Sequence, residues 1–162
     1  MIKRMFNKRG VRKNQVIFLG LLVFFFAAGE VQAAQEAPSR FQEVAGSKGS
    51  VIRDIGTKLE WQRCAYGQSW TGSGCSGTAW EGTWDNAVKI TCPGGFRLPI
   101  LDELKTLGPY YKSVFSGAYR LWSSTYYGGY KTIVWGFNFD YGNGYGYSKN
   151  ESLHVRLVRV GQ

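Results

Sequence analysis

Three cysteines, one histidine and eleven acidic side chains carry most of the chemistry open to this 162-residue sequence. A zinc site takes about four Cys, His or acidic ligands at short spacings, and His154, Cys64, Cys75 and Cys92 supply no such cluster. Calcium takes roughly six to eight oxygen ligands. The chain has no Glu-Pro-Asn, and Trp135-Gly-Phe-Asn138 lacks grouped carboxylates, so no metal is expected. The candidates for proton transfer are His154, Asp102, Glu103 and Asp140. His154 lies in a strand-like stretch beside Val155 and Arg156, where a histidine is structural. Asp102 and Glu103 open a helix, where carboxylates complement the dipole. No catalytic residue and no cofactor is assigned, and the chain is not expected to be an enzyme.

The cysteines fit a structural role. Cys64 and Cys75 flank ten residues rich in Gly, Ser and Thr, and they are expected to form a disulfide. Closing so short a loop stabilises by roughly 2–3 kcal/mol. Cys92 remains over. Nothing beside it, neither Thr91 nor Pro93, activates a thiolate, and it reads as a free structural thiol.

A disulfide implies an oxidising compartment, and the N-terminus points the same way. Lys3, Arg4, Lys8, Arg9, Arg12 and Lys13 precede an uncharged apolar run over residues 16–29, followed by Val31-Gln32-Ala33. This is the layout of a secretory signal, with cleavage expected after Ala33. The run is shorter than the roughly 20 residues of a membrane-spanning helix, so no permanent span is expected. The protein is expected to be secreted, or periplasmic or held in the cell envelope.

That segment holds six of the 20 Lys and Arg and one of the 11 acids, so the formal +9 falls to +4 over residues 34–162. The remaining cations are dispersed, whereas a nucleic-acid surface gathers them on one element; nucleic acid is not an expected partner.

The elements that must position these groups follow from local pattern. Residues 34–48 are small and polar and read as a flexible linker before a domain over 49–162. Val51–Asp54 and Leu59–Cys64 alternate as strands about an Asp54–Thr57 turn. Residues 65–82 read as a loop. Thr83 is placed to cap a helix from Trp84 with Trp84, Ala87, Val88 and Thr91 on one face. Leu101, Leu104 and Leu107 mark a second helix that Gly108-Pro109 stops. Leu121–Tyr127, Thr132–Tyr141 and Leu153–Val160 read as strands, and Asn143-Gly144 as a type I′ hairpin turn. Strands, then two helices, then strands indicate an α+β fold.

Several of these segments, in this order, resemble one known family: Thr57-Lys-Leu-Glu-Trp61-Gln-Arg-Cys64, Gly67-Gln-Ser-Trp70, Trp84-Asp-Asn-Ala87, Phe96-Arg-Leu-Pro99, Leu121-Trp-Ser-Ser-Thr125, Trp135-Gly-Phe-Asn-Phe139 and Val155-Arg-Leu-Val-Arg159. The family is the domain-of-unknown-function 1566 family, the Legionella collagen-like protein C-terminal domain. The resemblance covers about residues 49–160. It implies a C-type-lectin-like fold, also seen in formylglycine-generating enzymes, with paired terminal strands, two helices and a second small antiparallel sheet. It also implies a bacterial secreted or envelope protein, with adhesins for sulfated polysaccharides among the members. Three departures stand out. Lys58 replaces a usual Gly, Ile100 replaces a usual Thr before the second helix, and no collagen-like repeat precedes the domain.

Binding is therefore the expected activity. Of the 26 aromatic residues, 21 lie in residues 34–162. In Thr132–Tyr141 the alternation places Trp135, Phe137 and Phe139 on one face, which reads as core. The segments Tyr126-Tyr-Gly-Gly-Tyr-Lys131 and Tyr141-Gly-Asn-Gly-Tyr-Gly-Tyr147 set rings among glycines, which would leave room for flat ligands. Tyr126, Tyr127, Tyr130, Lys131, Tyr145, Tyr147 and Lys149 are the expected ligand-binding residues. The expected function is a lectin-like binding module, an adhesin for acidic polysaccharide. The alternative is an envelope assembly protein, so the expected partner is a glycan or an envelope or host protein.

Overall fold

The computed structural model describes residues 39–115 and 117–161; the expected export segment over 1–33 lies outside them. Along the chain run β1 (Phe41–Glu43), β2 (Val51–Asp54), β3 (Leu59–Gln62), β4 (Ser69–Trp70), β5 (Cys75–Ser76) and β6 (Glu81–Gly82). Then come α1 (Trp84–Ala87), α2 (Leu101–Leu107) and α3 (Tyr111–Val114), and last β7 (Arg120–Tyr126), β8 (Ile133–Asn138), β9 (Asn143–Ser148), β10 (Leu153–His154) and β11 (Val158–Val160). The fold is α+β, as the element order predicts. Among the described residues no helix is long and apolar enough to cross a membrane.

One sheet has the order β1-β2-β3-β11, all antiparallel, so the last strand pairs with the first hairpin. A second has the order β6-β10-β7-β8-β9 and is antiparallel except at β10–β7; β4 and β5 form a small ribbon. Apolar residues at period two supply opposite faces of β8. Phe137 and Phe139 join Leu101, Leu104, Leu107 and Tyr111 in one core, with Trp135 packed at its margin. Val134 joins Trp84, Trp122, Leu153 and Leu157 in the other.

The β2–β3 turn is built around a fully buried carboxylate. Asp54 accepts bonds from Arg40 Nε (2.8 Å) and Nη2 (2.7 Å), Gly56 N–H (2.9 Å) and the Thr57 hydroxyl (2.9 Å). The Gly replacement noted at Lys58 falls at φ 64°, in the left-handed region that glycine enters at least cost. Lys58 is exposed and its N–H bonds Asp54 O at 2.8 Å, so the strained backbone is held by the turn. Lys58→Gly is expected to raise stability by up to about 1 kcal/mol, strain relief being partly offset by chain entropy. Thermal unfolding checks this, and a lower melting temperature would contradict it. On the far side of the sheet, Glu60 is buried between Arg53 (Nε 2.9 Å) and Arg159 (Nε 2.7 Å), so both faces of β3 are covered.

Four expectations are corrected. Residues 41–43, read as part of a flexible linker, form β1, because Phe41 packs on the core and Arg40 reaches Asp54. Asn143-Gly144 is not the turn: Asn143 pairs with Asn138, leaving residues 139–142 to reverse the chain with Gly142 at φ 70°. The longer turn lets Phe139 stack on Tyr111 at 3.6 Å. The last strand is two, since residues 155–157 cross between sheets and are buried on the way. The first helix is short, with Val88 exposed and no side-chain cap from Thr83. The second helix matches its expected bounds. Its missing hydroxyl is replaced at a distance: Thr125 Oγ1 accepts Leu101 N–H at 2.9 Å, and the Glu103 carboxylate accepts Ile100 N–H at 2.9 Å.

Cys64 and Cys75 are bonded, as expected, and tie the β4–β5 ribbon to the end of β3. Cys92 is a half-buried free thiol.

Candidate functional site

The end of β7 and the turn after it are rich in Tyr and Gly and meet the end of β9. A backbone bond from Tyr130 N–H to Tyr127 O (3.1 Å) closes the turn, and one from Lys149 N–H to Thr132 O (3.0 Å) joins the two segments. The result is an open hollow of about 370 Å³ lined by Tyr126, Gly129, Tyr130, Lys131 and Lys149. Four of the expected ligand-binding residues thus converge. The Lys149 ammonium stands 4.4 Å from the Trp84 ring centre and 4.7 Å from that of Tyr126. The two rings meet edge to face at 5.2 Å. Trp84 N–H also donates to Lys149 O at 3.0 Å, and Trp84 Nε1 donates to Ser123 O at 2.8 Å. The lysine is therefore aimed by a ring that is itself fixed.

A cation between two rings is stabilised by their quadrupoles without a carboxylate beside it. Among the described residues neither Lys131 nor Lys149 makes an ion pair, and no acidic residue lines the hollow. Tyr126 and Tyr130 are 54% and 61% exposed. The site therefore offers two positive charges and two accessible rings, an arrangement suited to an anionic ligand with an apolar face.

The other three expected residues go elsewhere. Tyr127 packs against Trp135 at 4.5 Å and fills the space where a Cβ on Gly146 would stand. Tyr147 packs against Trp122 at 6.0 Å and lies over Gly136 in the same way, and burial pushes its hydroxyl pKa up. Gly146 and Gly136 thus make room for the protein's own rings, whereas a Cβ on Gly128 or Gly129 would meet nothing within 4 Å among the described residues, and Gly129 lines the hollow. Tyr145 lines a separate hollow with Tyr141 and Glu151.

Each acid–base candidate has its own partner. His154 Nδ1 is 2.9 Å from Trp80 O. Asp102 pairs with Lys105 at 2.8 Å, and Asp140 with Lys112 at 3.5 Å. Glu103 binds Arg97; burial pushes its carboxyl pKa up, but the Arg97 guanidinium and the Ile100 N–H outweigh this and hold it below its ordinary value.

Sequence reasoning missed Trp84 as the buried ring that aims Lys149, having assigned it only to a helix face; no local signal pairs it with Lys149, 65 positions on. It also missed a cleft of about 620 Å³ beside β1, where Arg63, Trp70 and Lys112 come from three separate segments.

Two comparisons with known proteins bear on this arrangement. The family model described as the Lcl C-terminal domain matches residues 50–159, more than half of the chain. No curated protein matches it.

Proposed function

The chain belongs to the Lcl C-terminal domain family, and from that premise we propose that it is a non-enzymatic, exported binding module that holds an acidic polysaccharide in the hollow around Lys149. The observation that carries this reading is the pair Lys131 and Lys149, set among exposed tyrosines with no acid among the described residues that line the hollow. Pyranose rings have apolar faces that stack on tyrosine, while a sulfate or carboxylate substituent takes the ammonium. The pairing of β11 with the first hairpin, and the helices laid on two sheets, support a C-type-lectin-like arrangement. The Cys64–Cys75 bond supports an extracellular or envelope location.

The full chain is expected to be retained on a heparin column at low salt and released as salt rises. Lys131→Gln with Lys149→Gln is expected to weaken binding about tenfold, on the order of 1.4 kcal/mol, with unchanged circular dichroism. A folded chain that passes through the column at low salt would exclude the reading.

A further inference from the structure

We propose that the free edge of β1 and the cleft beside it are a docking site for an extended acidic segment of a partner protein, which adds a fifth strand to the terminal sheet. The site is distinct from the hollow around Lys149 and does not rest on the polysaccharide reading.

The edge comes first. In the order β1-β2-β3-β11, β1 has a neighbour on one side only among the described residues. Ile55 N–H bonds Arg40 O at 2.9 Å and Val44 N–H bonds Val51 O at 3.0 Å. Antiparallel pairing alternates, so these bonds assign the even-numbered residues of β1 to β2. Phe41 and Glu43 therefore turn their N–H and C=O groups outward. The Ser39 hydroxyl donates to Phe41 O at 2.8 Å, at an exposed position from which a peptide N–H can displace it.

The cleft supplies the chemistry. Phe41, Ile52 and Phe115 give it an apolar floor; Arg63, Trp70 and Lys112 stand around it, and among the described residues no acidic one lines it. Arg40, which also lines it, is committed to buried Asp54. Arg63 is different. Its guanidinium lies 4.3 Å from the Trp70 ring centre, and its side chain is only 17% exposed. Its Nε is buried with no hydrogen-bond partner among the described residues. Its carboxylate partner, Glu43 at 3.1 Å, is 62% exposed. Lys112 and Asp140 form a pair at 3.5 Å in which both side chains are exposed. Both carboxylates stand in solvent, where an ion pair contributes little, so an incoming carboxylate can replace Glu43 at Arg63 and Asp140 at Lys112. Glu43 occupies the place of the partner's acid until it arrives.

The edge favours a peptide over an acidic sugar. Outward amide donors and carbonyl acceptors at strand spacing match another main chain, and alternate side chains then enter the cleft. An acidic residue meets Arg63, and apolar neighbours meet Phe41 and Ile52.

The test is fluorescence polarisation on the full chain with a labelled eight-residue peptide alternating Glu and Val. Saturable binding is expected, with none for the Lys/Val counterpart. Glu43→Gln is expected to tighten binding several-fold, because it removes the competing carboxylate. Arg63→Met is expected to weaken it at least tenfold, with folding checked by circular dichroism; if that variant fails to fold, Glu43→Gln and the peptide variants decide. N-methylation of alternate peptide residues is expected to abolish binding in one register and spare it in the other. Equal binding of both N-methylated peptides, or weaker binding by Glu43→Gln, would overturn the proposal. So would a sulfated oligosaccharide that displaces the peptide and is itself weakened by Arg63→Met, which would assign the cleft to sugars. Lys131→Gln with Lys149→Gln is expected to leave peptide binding unchanged, so this proposal and the polysaccharide reading fail separately.

Discussion

Arg156→Met is expected to cost about 3–5 kcal/mol and to lower the melting temperature by on the order of 10 °C. Arg156 is fully buried where the chain crosses between the two sheets. Its Nη1 donates to Gln62 O at 2.9 Å and also to Arg63 O; Nε and Nη2 donate to the Tyr111 hydroxyl at 3.3 and 3.1 Å. The guanidinium carbon Cζ lies over the rings of Tyr111 and Phe115, 5.3 and 4.7 Å from their centres. Methionine fills much of the volume but leaves the two carbonyls without these donors, and a buried polar group without a partner is costly. Arg156→Lys keeps the charge and loses the planar fork, so an intermediate loss is expected. Urea unfolding with an unchanged m-value checks both; a loss below about 1 kcal/mol for the methionine variant would show that the fork is not needed.

The second large effect is at Asp54. Asp54→Ala is expected to cost about 3 kcal/mol, because it removes the buried half of an ion pair and strands Arg40, Gly56 N–H and the Thr57 hydroxyl. The same site makes stability depend on pH. Burial pushes the Asp54 carboxyl pKa up, but the bonds from Arg40, Thr57 and Gly56 outweigh it and hold the value below the ordinary one. Glu60 is held low in the same way: burial acts against the charge, and Arg53 and Arg159 prevail. A carboxyl whose folded pKa is lowered adds stability above its unfolded value, about 4, and loses it as pH falls through the folded value. The urea midpoint is therefore expected to be level at neutral pH and to fall with acid below about pH 5. Asp54→Ala, having lost its share already, is expected to show a shallower fall. An equally steep fall would mean that Asp54 does not carry the linkage.

These sites show what is legible locally. Asp54, Gly56 and Thr57 announce a turn, and the same three groups make it, because an Asx-type turn closes within four residues. The helix at Leu101–Leu107 is readable since its three leucines meet the core at the helical repeat and Gly108-Pro109 ends it. Its start is readable only in part: Ile100 lacks a hydroxyl, and Thr125, 24 positions from Leu101, supplies one to the Leu101 N–H. The candidate site divides likewise. Tyr126, Tyr130, Lys131 and Lys149 are legible as exposed polar and aromatic residues near turns. Tyr127 and Tyr147 look the same in sequence, yet pack over Gly146 and Gly136, since strand register decides which ring faces which glycine.

By itself the sequence determined the α+β order, the first hairpin, the second helix and the Cys64–Cys75 bond, because each rests on contacts within a few residues or on one short loop. Only the tertiary structure decided that β1 joins the sheet, that residues 153–160 divide between two sheets, that Arg156 is buried and that Trp84 aims Lys149. Each of these depends on partners brought from 9 (Glu43 with Ile52) to 101 (Val160 with Leu59) positions away, and such pairings are settled by register and by the need to bury polar groups with their bonds made.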